Sequence, residues 1–404
     1  MNVCGLIVEY NPFHNGHLYH IEQAKKQTNA DCVIAVMSGS FLQRGEPAIM
    51  DKFHRAKAAL LSGIDIVVEL PYVFAVQSSD LFAKGSVLTL HELGVNSICF
   101  GSEAGNIQEF INGYQAFIHN KPTYQTNLRH HLQAGYSFPE ASKLAYESIG
   151  LTKNGIDLSK PNNILGFSYV RTILENHLPI QPITIKRKNS EYHDTEITGS
   201  IASATSIRKK LLEEKKVLSD LTNTMPPATI HELQNYQSFA TTLHYWESYF
   251  PLLHYRVTTM SVEELAHIHG VEEGLEHRIK KTAKEVSTFY DWVQAIKTKR
   301  YTWTRIQRIL AHLLTNTTKS EIERLTTRNH VEYVRLLGMT KKGQEYLNTH
   351  KKEMNVPIYP KLTRDIHPML EVEERATNAY YSILPIEKRY ALMKQELKGP
   401  VLVP

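Results

Sequence analysis

The first two hundred residues alternate short apolar runs with amphipathic runs, the pattern of a parallel sheet whose strands are joined by helices. Apolar runs predict strands at residues 3–9, 31–37, 64–70, 97–100 and 182–186. Helical spacing predicts helices at 16–27, 51–61 and 80–93, and further helices that begin at 161 and 203. Runs such as Ile64-Asp65-Ile66-Val67-Val68 are apolar almost throughout, as in strands buried on both faces. The pattern therefore predicts an α/β fold with a parallel sheet.

The loops that follow the predicted strands carry most of the polar chemistry of this region. They span residues 9–15, 38–44, 69–72 and 101–103. In an open parallel sheet, ligands bind beyond the carboxyl ends of the strands. We therefore expect these four loops to share one edge of the sheet.

The rest of the chain has a helical pattern. Residues 106–177 have mostly helical spacing. Beyond Pro226-Pro227 no strand pattern recurs, so residues 228–404 are expected to be helical. The tail after Pro357 is expected to be less regular. The predicted organisation is a parallel-sheet domain at residues 1–225, followed by a mainly helical domain at 226–404.

The composition of the 404 residues is that of an ordinary globular protein. No apolar run approaches the ~20 residues that a membrane span needs. The N-terminus opens on an apolar strand, without a basic stretch or a small-residue cleavage site, so a cytoplasmic protein is expected. Cys4, Cys32 and Cys99 fall in predicted strands, which favours small buried apolar residues over a disulfide framework.

Charge is distributed unevenly between the two halves. Residues 1–200 carry 16 Lys and Arg against 18 Asp and Glu, whereas residues 201–404 carry 30 against 23. A basic second half suits an acidic partner such as a nucleic acid, although a basic solvated surface explains the same count.

His14-Asn15-Gly16-His17 lies between the first predicted strand and the first predicted helix. A helix N-terminus offers free N–H groups and a positive dipole end to phosphate, and a glycine allows close approach of the backbone. Two imidazoles three residues apart can donate hydrogen bonds to the same phosphates. The H-x-G-H pattern in this position predicts a phosphate-binding site. Together with the segment 203–208, it predicts a site of attack on the α-phosphate of a triphosphate, with His14 and His17 as catalytic residues.

Two other interpretations of these histidines stay open. The first is that they are surface or capping residues. The second is a metal site, because His14, His17 and His20 are spaced H-x-x-H-x-x-H. Zinc usually has four protein ligands, or three plus water. No cysteine or carboxylate stands near these histidines at a spacing that would supply a further ligand, which counts against a zinc site.

Ser203-Ala204-Thr205-Ser206-Ile207-Arg208 is a second candidate phosphate site. Ser and Thr at a helix start are good caps, and taken alone this segment is best explained by capping. Together with H-x-G-H, it is predicted to bind the β- and γ-phosphates through Ser206 and nearby N–H groups, with Arg208 adding charge.

These two motifs resemble those of the nucleotidyltransferase superfamily. The stretches 5–17, 37–48, 100–103 and 203–208 are together very similar to those of the bacterial tRNA(Met) cytidine acetate ligases, and the resemblance covers nearly the whole chain. It implies a Rossmann-like nucleotidyltransferase domain that binds ATP. It also implies a ligase that converts acetate and ATP to acetyl-adenylate and pyrophosphate. The acetyl group would then pass to N4 of the wobble cytidine of elongator tRNA(Met).

The resemblance also implies a set of nucleotide-binding residues. They are Ile7, Val8, Glu9, Tyr10, Asn11, Pro12, Phe13, His14, Asn15, Gly16, His17, His20, Gly101, Asn162, Arg187, Lys188 and Ser206. Arg187 and Lys188 would neutralise the leaving pyrophosphate, although a solvated basic strand end explains them equally well. Mg²⁺ is expected as the usual companion of ATP, and no dedicated protein metal site is expected.

Further cations and aromatics have two interpretations each. Gln43, Arg44 and Lys52 lie near the loop after the second predicted strand, where a cation could hold acetate or the α-phosphate. Lys52 and Arg55 could instead only face solvent from their helix. The segment 297–308 mixes cations with Tyr301 and Trp303, which could stack on unpaired bases or pack in a core.

Elongator tRNA(Met) and acetate are the expected partners, with no membrane and no obligate protein partner. Two alternatives remain: an adenylyltransferase acting on a small phosphate-containing acceptor, and a non-catalytic RNA-binding protein regulated by a nucleotide. A class I aminoacyl-tRNA synthetase fits less well, because no K-M-S-K-S-like stretch is present.

Overall fold

The structure is a computed structural model. It describes residues 1–152, 156–187, 202–213, 218–272, 274–363 and 367–404. In this part of the chain, eight strands form one sheet. The strands are β1 (Val3–Val8), β2 (Cys32–Ser38), β3 (Ile66–Leu70), β4 (Ser97–Ser102), β5 (Gln181–Lys186), β6 (Val334–Thr340), β7 (Ile358–Tyr359) and β8 (Val401–Val403).

The first five strands are parallel, as predicted, and their ends agree with the predicted ends to within two residues. The order along the sheet is β5-β4-β1-β2-β3-β6-β7, and β8 pairs with β6. The order reverses beside β1, since β2 lies on one side of it and β4 on the other. A ligand site is expected at such a switch point.

Helices make up most of the remaining chain. They are α1 (Asn15–Thr28), α2 (Lys52–Leu61), α3 (Tyr72–Ala75), α4 (Ser79–Glu92), α5 (Ile107–His119), α6 (Lys121–Gln133), α7 (Phe138–Ser148), α8 (Pro161–Glu175), α9 (Ala204–Leu212), α10 (Pro227–Ala240), α11 (Trp246–Thr259), α12 (Val262–His267), α13 (Leu275–Ala283), α14 (Phe289–Ile296), α15 (Trp303–Leu314), α16 (Lys319–Thr326), α17 (Lys341–His350), α18 (Pro368–Tyr381) and α19 (Ile386–Met393). Short 3₁₀ turns lie at Leu218–Leu221 and Lys394–Leu397. No helix in the described ranges is both long and apolar enough to cross a membrane.

The sheet is buried on both faces, which explains its continuous apolar runs. Cys4, Leu6 and Val8 of β1 pack in one core cluster with residues of α1 and α2. Val3 and the alternate residues of β2 pack in a larger cluster with α4 and α8. This alternation points Glu9, directly after β1, to the α4–α8 side of the sheet.

The expectation that no strand follows residue 227 is wrong. β6 pairs antiparallel with β3, and β7 and β8 pair parallel with β6. The pattern was hidden because β6 contains a buried arginine, Arg335, and a glycine, Gly338, while β7 and β8 span two and three residues. The second half is still mainly helical. The division at residues 225 and 226 stays a prediction, and segments from both sides of it share the sheet.

The three cysteines occupy the places that were predicted for them. Cys4, Cys32 and Cys99 lie in β1, β2 and β4, and all are free and buried. Burial raises the pKa of each thiol, that of Cys32 to about 12. The thiols are therefore protonated and act as small apolar side chains.

Candidate active site

A cavity of about 300 Å³ lies at the carboxyl ends of the parallel strands, between the N-termini of α1, α8 and α9. Of the nucleotide-binding residues that the resemblance implies, ten line it: Ile7, Val8, Glu9, His14, Gly16, His17, His20, Gly101, Asn162 and Arg187. The folded chain thus brings together residues that are far apart in sequence. Lys188 lies outside the described residues.

The H-x-G-H segment forms a reciprocal cap on α1. His14 Nδ1 accepts a hydrogen bond from the Gly16 N–H at 3.0 Å, and His17 Nδ1 accepts one from the His14 N–H at 3.2 Å. The two rings stack with their centroids 3.8 Å apart. Because each Nδ1 is an acceptor, a neutral ring carries its proton on Nε2. We infer that both histidines are Nε2–H donors, and both line the cavity.

The environment of these histidines favours the neutral form. Burial, together with Arg187 and Arg208, lowers the pKa of His14 to about 3. Burial and the neighbouring His14 and His20 lower the pKa of His17 well below its usual value. Burial also lowers the pKa of His20 to about 4. The imidazoles are therefore neutral near pH 7 and offer an anion hydrogen-bond donors rather than positive charge.

The capping and metal interpretations of the histidines have different outcomes. The capping one is confirmed for His14, which is the N-cap of α1, and this role leaves its second ring nitrogen available. The described residues contain no group of three or more His, Cys, Asp or Glu side chains that could hold a metal ion. His14, His17 and His20 therefore do not form such a group.

Five predicted residues of the same loop lie behind the cavity wall instead of in it: Tyr10, Asn11, Pro12, Phe13 and Asn15. Tyr10 and Phe13 are buried with ring centroids 4.7 Å apart. Asn11 Oδ1 accepts from the Ile49 N–H at 2.7 Å, and Asn15 Nδ2 donates to the Asn223 carbonyl at 2.9 Å. Asn11-Pro12 is a cis peptide bond. These residues hold the loop in place for the histidines.

The β4–β5 side of the cavity is built around the start of α8. Glu103 Oε1 accepts from Asn162 Nδ2 at 2.7 Å, and its Oε2 accepts from the Asn163 N–H at 2.8 Å. In return, Asn163 Oδ1 accepts from the N–H groups of Glu103 and Ala104. Asn162 is thereby fixed beside Gly101 in the cavity wall. The sequence did not indicate that Glu103 fixes the start of α8. This role depends on contact with Asn162 and Asn163, which follow it by 59 and 60 residues.

Ser206 is not in the cavity wall, in contrast to its predicted phosphate contact. It is fully buried, and its N–H donates to the N-cap Ser203 Oγ at 3.0 Å while its own Oγ donates to the Ser203 carbonyl at 2.8 Å. The wall is formed instead by Ser203, Ala204, Thr205 and Arg208. The start of α9 therefore faces the cavity, as predicted, but through Ser203, Ala204, Thr205 and Arg208 and not through Ser206.

The opposite wall follows the loop after β2. Gln43, Arg44 and Glu46 line the cavity beside Glu9. The Gln43 N–H donates to Glu9 Oε1 at 2.8 Å, and Arg208 Nη2 donates to Glu46 Oε2 at 2.9 Å. Lys52 is absent from this wall, because it is buried in ion pairs with Glu69 and Glu396, each at 2.7 Å. Lys52 therefore neither lines the cavity nor faces solvent, and Arg44 is the cation of this loop that lies in the wall.

An apolar wall was not predicted from the sequence. It consists of Phe82, Phe100, Leu165 and Tyr169, which come from α4, β4 and α8, while Ile185 of β5 lines the cavity from the other face of the sheet. Each has the spacing of an ordinary core residue, so no sequence signal distinguishes these five from their buried neighbours. An apolar surface beside a phosphate-binding helix start suits a purine base.

Acidification is expected to destabilise the protein through its buried neutral histidines. Because the pKa of His14 is about 3, against about 6.5 in an unfolded chain, the unfolded state binds the extra proton below pH 6.5. Stability therefore falls as the pH falls, by about 2 kcal/mol for this residue between pH 7 and pH 5. Urea unfolding at the two pH values measures the effect.

A His14→Asn variant is the matched control, since asparagine can still accept from the Gly16 N–H but does not titrate. It should lose about 2 kcal/mol less than the wild type between pH 7 and pH 5. An equal loss in both proteins would contradict the neutral state of His14. His54 opposes the trend, because its ion pair with Asp51 overcomes burial and raises its pKa.

Comparisons with known proteins agree with this geometry. The family model described as HIGH Nucleotidyl Transferase matches residues 1–396. A tRNA(Met) cytidine acetate ligase of Oceanobacillus iheyensis is 54% identical over 407 residues, covering 100% of both chains. The Bacillus subtilis protein of the same name is 46% identical and covers 96% of this chain and 93% of its own.

Two solved structures have the same fold over the whole chain. The crystal structure of apo Thermotoga maritima TmcAL has a TM-score of 0.91 at 32% identity, and it covers 100% of both chains. The TmcAL of the same organism bound with alpha-thio ATP has a TM-score of 0.90 at 33% identity. The chain belongs to the tRNA(Met) cytidine acetate ligase family, within the nucleotidyl transferases that carry the H-x-G-H motif.

Proposed function

We propose that this protein is an ATP-dependent ligase that activates acetate as acetyl-adenylate. It then transfers the acetyl group to N4 of the wobble cytidine of elongator tRNA(Met). The observation that carries the proposal is the pair of Nε2–H donors at the N-terminus of α1, in a cavity with an apolar wall. The names of the relatives, and the alpha-thio ATP bound by the Thermotoga maritima protein, support the same activity.

The first step needs positioning and charge stabilisation rather than covalent catalysis by the protein. A carboxylate oxygen of acetate attacks the α-phosphorus, and the bond to the bridging oxygen of pyrophosphate breaks. His14 and His17 donate hydrogen bonds to the phosphates as charge shifts onto the leaving group. Arg187, at the end of β5, neutralises the pyrophosphate, and we propose the same role for Lys188.

Adenine is placed on the apolar wall. Phe100 and Tyr169 provide the surface there, and the backbone of Gly101 approaches the nucleotide without a side chain between them. Asn162 is fixed by Glu103 at the start of α8, where it can donate a hydrogen bond to the ribose or base. Mg²⁺ is proposed as the companion of the triphosphate, where it would neutralise phosphate charge.

The tRNA is proposed to contact exposed cations of the second half. In the segment 297–308, Tyr301 is buried and donates to the Glu272 carbonyl at 3.1 Å, so it packs in the core. Lys297 and Lys299 are exposed, and Trp303 packs against the exposed Tyr290 with ring centroids 5.1 Å apart. This surface offers charge for phosphates and an aromatic pair for a base. We also propose that the enzyme acts in the cytoplasm without an obligate protein partner.

One assay tests the activity directly. The protein is incubated with ATP, ¹⁴C-acetate and total bacterial tRNA, and AMP, pyrophosphate and RNA-bound label are measured. Acetate-dependent AMP release with acid-stable label on tRNA is expected, and nucleoside analysis should place the label in N4-acetylcytidine. AMP formation without labelled tRNA would indicate a small-molecule adenylyltransferase. Release of neither AMP nor pyrophosphate would rule out catalysis and leave a nucleotide-regulated RNA-binding protein.

A further inference from the structure

We propose that Glu9 is the general base of acetyl transfer and accepts the proton that cytidine N4 loses as it attacks the acetyl carbonyl. This inference rests on the proposed function, which leaves open how so weak a nucleophile is activated. The N4 lone pair forms the new bond to carbon, the bond from carbon to the AMP oxygen breaks, and the proton passes to a Glu9 carboxylate oxygen. AMP leaves with the electron pair of the broken bond.

Glu9 lines the cavity and is held in place by hydrogen bonds to its backbone and its side chain. It follows β1, the strand at the switch point of the sheet. Arg55 donates to its carbonyl at 2.7 Å and to the Ser38 carbonyl at 3.0 Å, so one buried guanidinium joins the ends of β1 and β2. The Gln43 N–H fixes its Oε1 at 2.8 Å. The position of the carboxylate is therefore set by two strands and the loop after β2.

The second oxygen of Glu9 is available to substrate. Within the described ranges Oε2 makes no hydrogen bond, and the carboxylate is in no ion pair, although the residue lines the cavity. Glu9 is half-buried, so its carboxylate is partly desolvated without a direct cationic partner, which costs free energy. The neighbouring Glu46 differs, because its Oε2 is committed to Arg208 at 2.9 Å.

The other titratable groups of the cavity are less suited to accept a proton. His14 and His17 use Nδ1 in the cap, and their Nε2 already carries a proton. His20 stands one turn further along α1, where Arg187 is the charge that acts on it. Burial lowers the pKa of His20 to about 4, so His20 is a weak base.

The strand order puts the acetyl group near Glu9. An in-line attack places acetate and pyrophosphate on opposite sides of the α-phosphorus. If pyrophosphate lies by Arg187 at the end of β5, acetate lies toward β1 and the loop after β2, since β4 and β1 intervene in the sheet. That side of the cavity holds Glu9, Gln43 and Arg44.

The electrostatic setting suits a base that works near neutral pH. Burial raises the pKa of Glu9, against the lowering effects of the Gln43 N–H and of nearby cations. A carboxylate whose pKa is closer to neutrality is the better proton acceptor. The charged and titratable groups that face it are Arg44, Glu46, Arg55, Arg208 and Tyr169.

A Glu9→Gln variant separates the two steps, because glutamine can keep the acceptor for the Gln43 N–H but cannot take up a proton. Acetyl transfer from preformed acetyl-adenylate to tRNA, followed in a single turnover, should fall by about 100-fold or more. Acetate-dependent ATP–pyrophosphate exchange should fall by less than about tenfold, since that step requires no base. The wild-type transfer rate should rise with pH to a plateau, and the residual rate of the variant should not.

A Glu46→Gln variant removes the same charge from the same wall and is the matched control. It should change transfer and exchange to a similar extent. Equal losses of the two activities in Glu9→Gln, or a selective loss of transfer in Glu46→Gln, would overturn the assignment of the base. If the wild-type protein forms acetyl-adenylate but labels no tRNA, the proposed function itself fails, whatever the Glu9 variant does.

Discussion

Replacing His17 with asparagine should lower acetate-dependent ATP–pyrophosphate exchange by about 10²–10³-fold, with little change in stability. Asparagine Oδ1 can take the place of the ring Nδ1 that accepts from the His14 N–H at 3.2 Å. It has no atom at the position of Nε2, so a preorganised donor to the developing phosphate charge is lost. Exchange kinetics at saturating ATP, together with urea unfolding, measure the two effects separately.

A His17→Gln variant provides the reciprocal control. Its side-chain NH₂ can reach the region of Nε2 while the acceptor for the His14 N–H is lost. It should retain more exchange activity than His17→Asn and lose about 1 kcal/mol of stability, the usual cost of a missing cap. tRNA binding, measured by filter retention, should be unchanged in both variants. If the order of the exchange activities were reversed, the role of His17 would be capping alone.

Replacing Lys52 with methionine should destabilise the protein by about 3–5 kcal/mol. Lys52 is 2% exposed, and its ammonium is paired with Glu69 and Glu396, each at 2.7 Å. Burial alone would lower the pKa of Lys52, but the carboxylates of Glu396, Glu69 and Glu373 outweigh burial and raise it. Without the ammonium, the buried carboxylate of Glu69 loses its ion-pair partner, and Glu396 keeps only Arg335. Chemical denaturation of the wild type and the variant measures the loss.

A Lys26→Met variant is the control for the same side-chain change at an exposed site. Lys26 lies on the outer face of α1, and its replacement should change stability by no more than about 0.5 kcal/mol. At a temperature where it stays folded, the Lys52→Met protein should keep exchange activity. Loss of exchange activity without loss of stability would instead indicate that Lys52 acts in the substrate site.

The parts of the fold that follow from local patterns could be predicted from the sequence. The five parallel strands and the helices between them are specified by apolar runs and by caps such as Asp51, which accepts from the His54 N–H at 2.9 Å. The position of the histidines followed from the same logic, since the end of the first strand and the start of the first helix determine where H-x-G-H lies. Parallel topology then placed the other loops beside it.

Features that depend on distant partners could not be predicted. From the sequence alone, an arginine such as Arg335 is expected at the surface. In the structure it is buried in β6, where Glu396, 61 positions later, pairs with it at 3.1 Å. Ser206 and Thr205 are adjacent in a helix start, and only the docking of α9 decides which of them faces the cavity. The nucleotide contacts of the predicted residues stay predictions. The structure establishes which of them surround the cavity.

The late strands have a consequence for synthesis on the ribosome, where the chain emerges from its N-terminus. β3 is complete at Leu70, but its partner β6 begins at Val334, and the carboxylate of Glu396 that pairs with Lys52 comes later still. Until nearly all of the chain has emerged, β3 has an unpaired edge, and Lys52 of α2 lacks one of its two ion-pair partners. A nascent chain stalled before residue 334 would therefore expose the edge of β3. Such a chain is expected to be prone to aggregation and to bind chaperones.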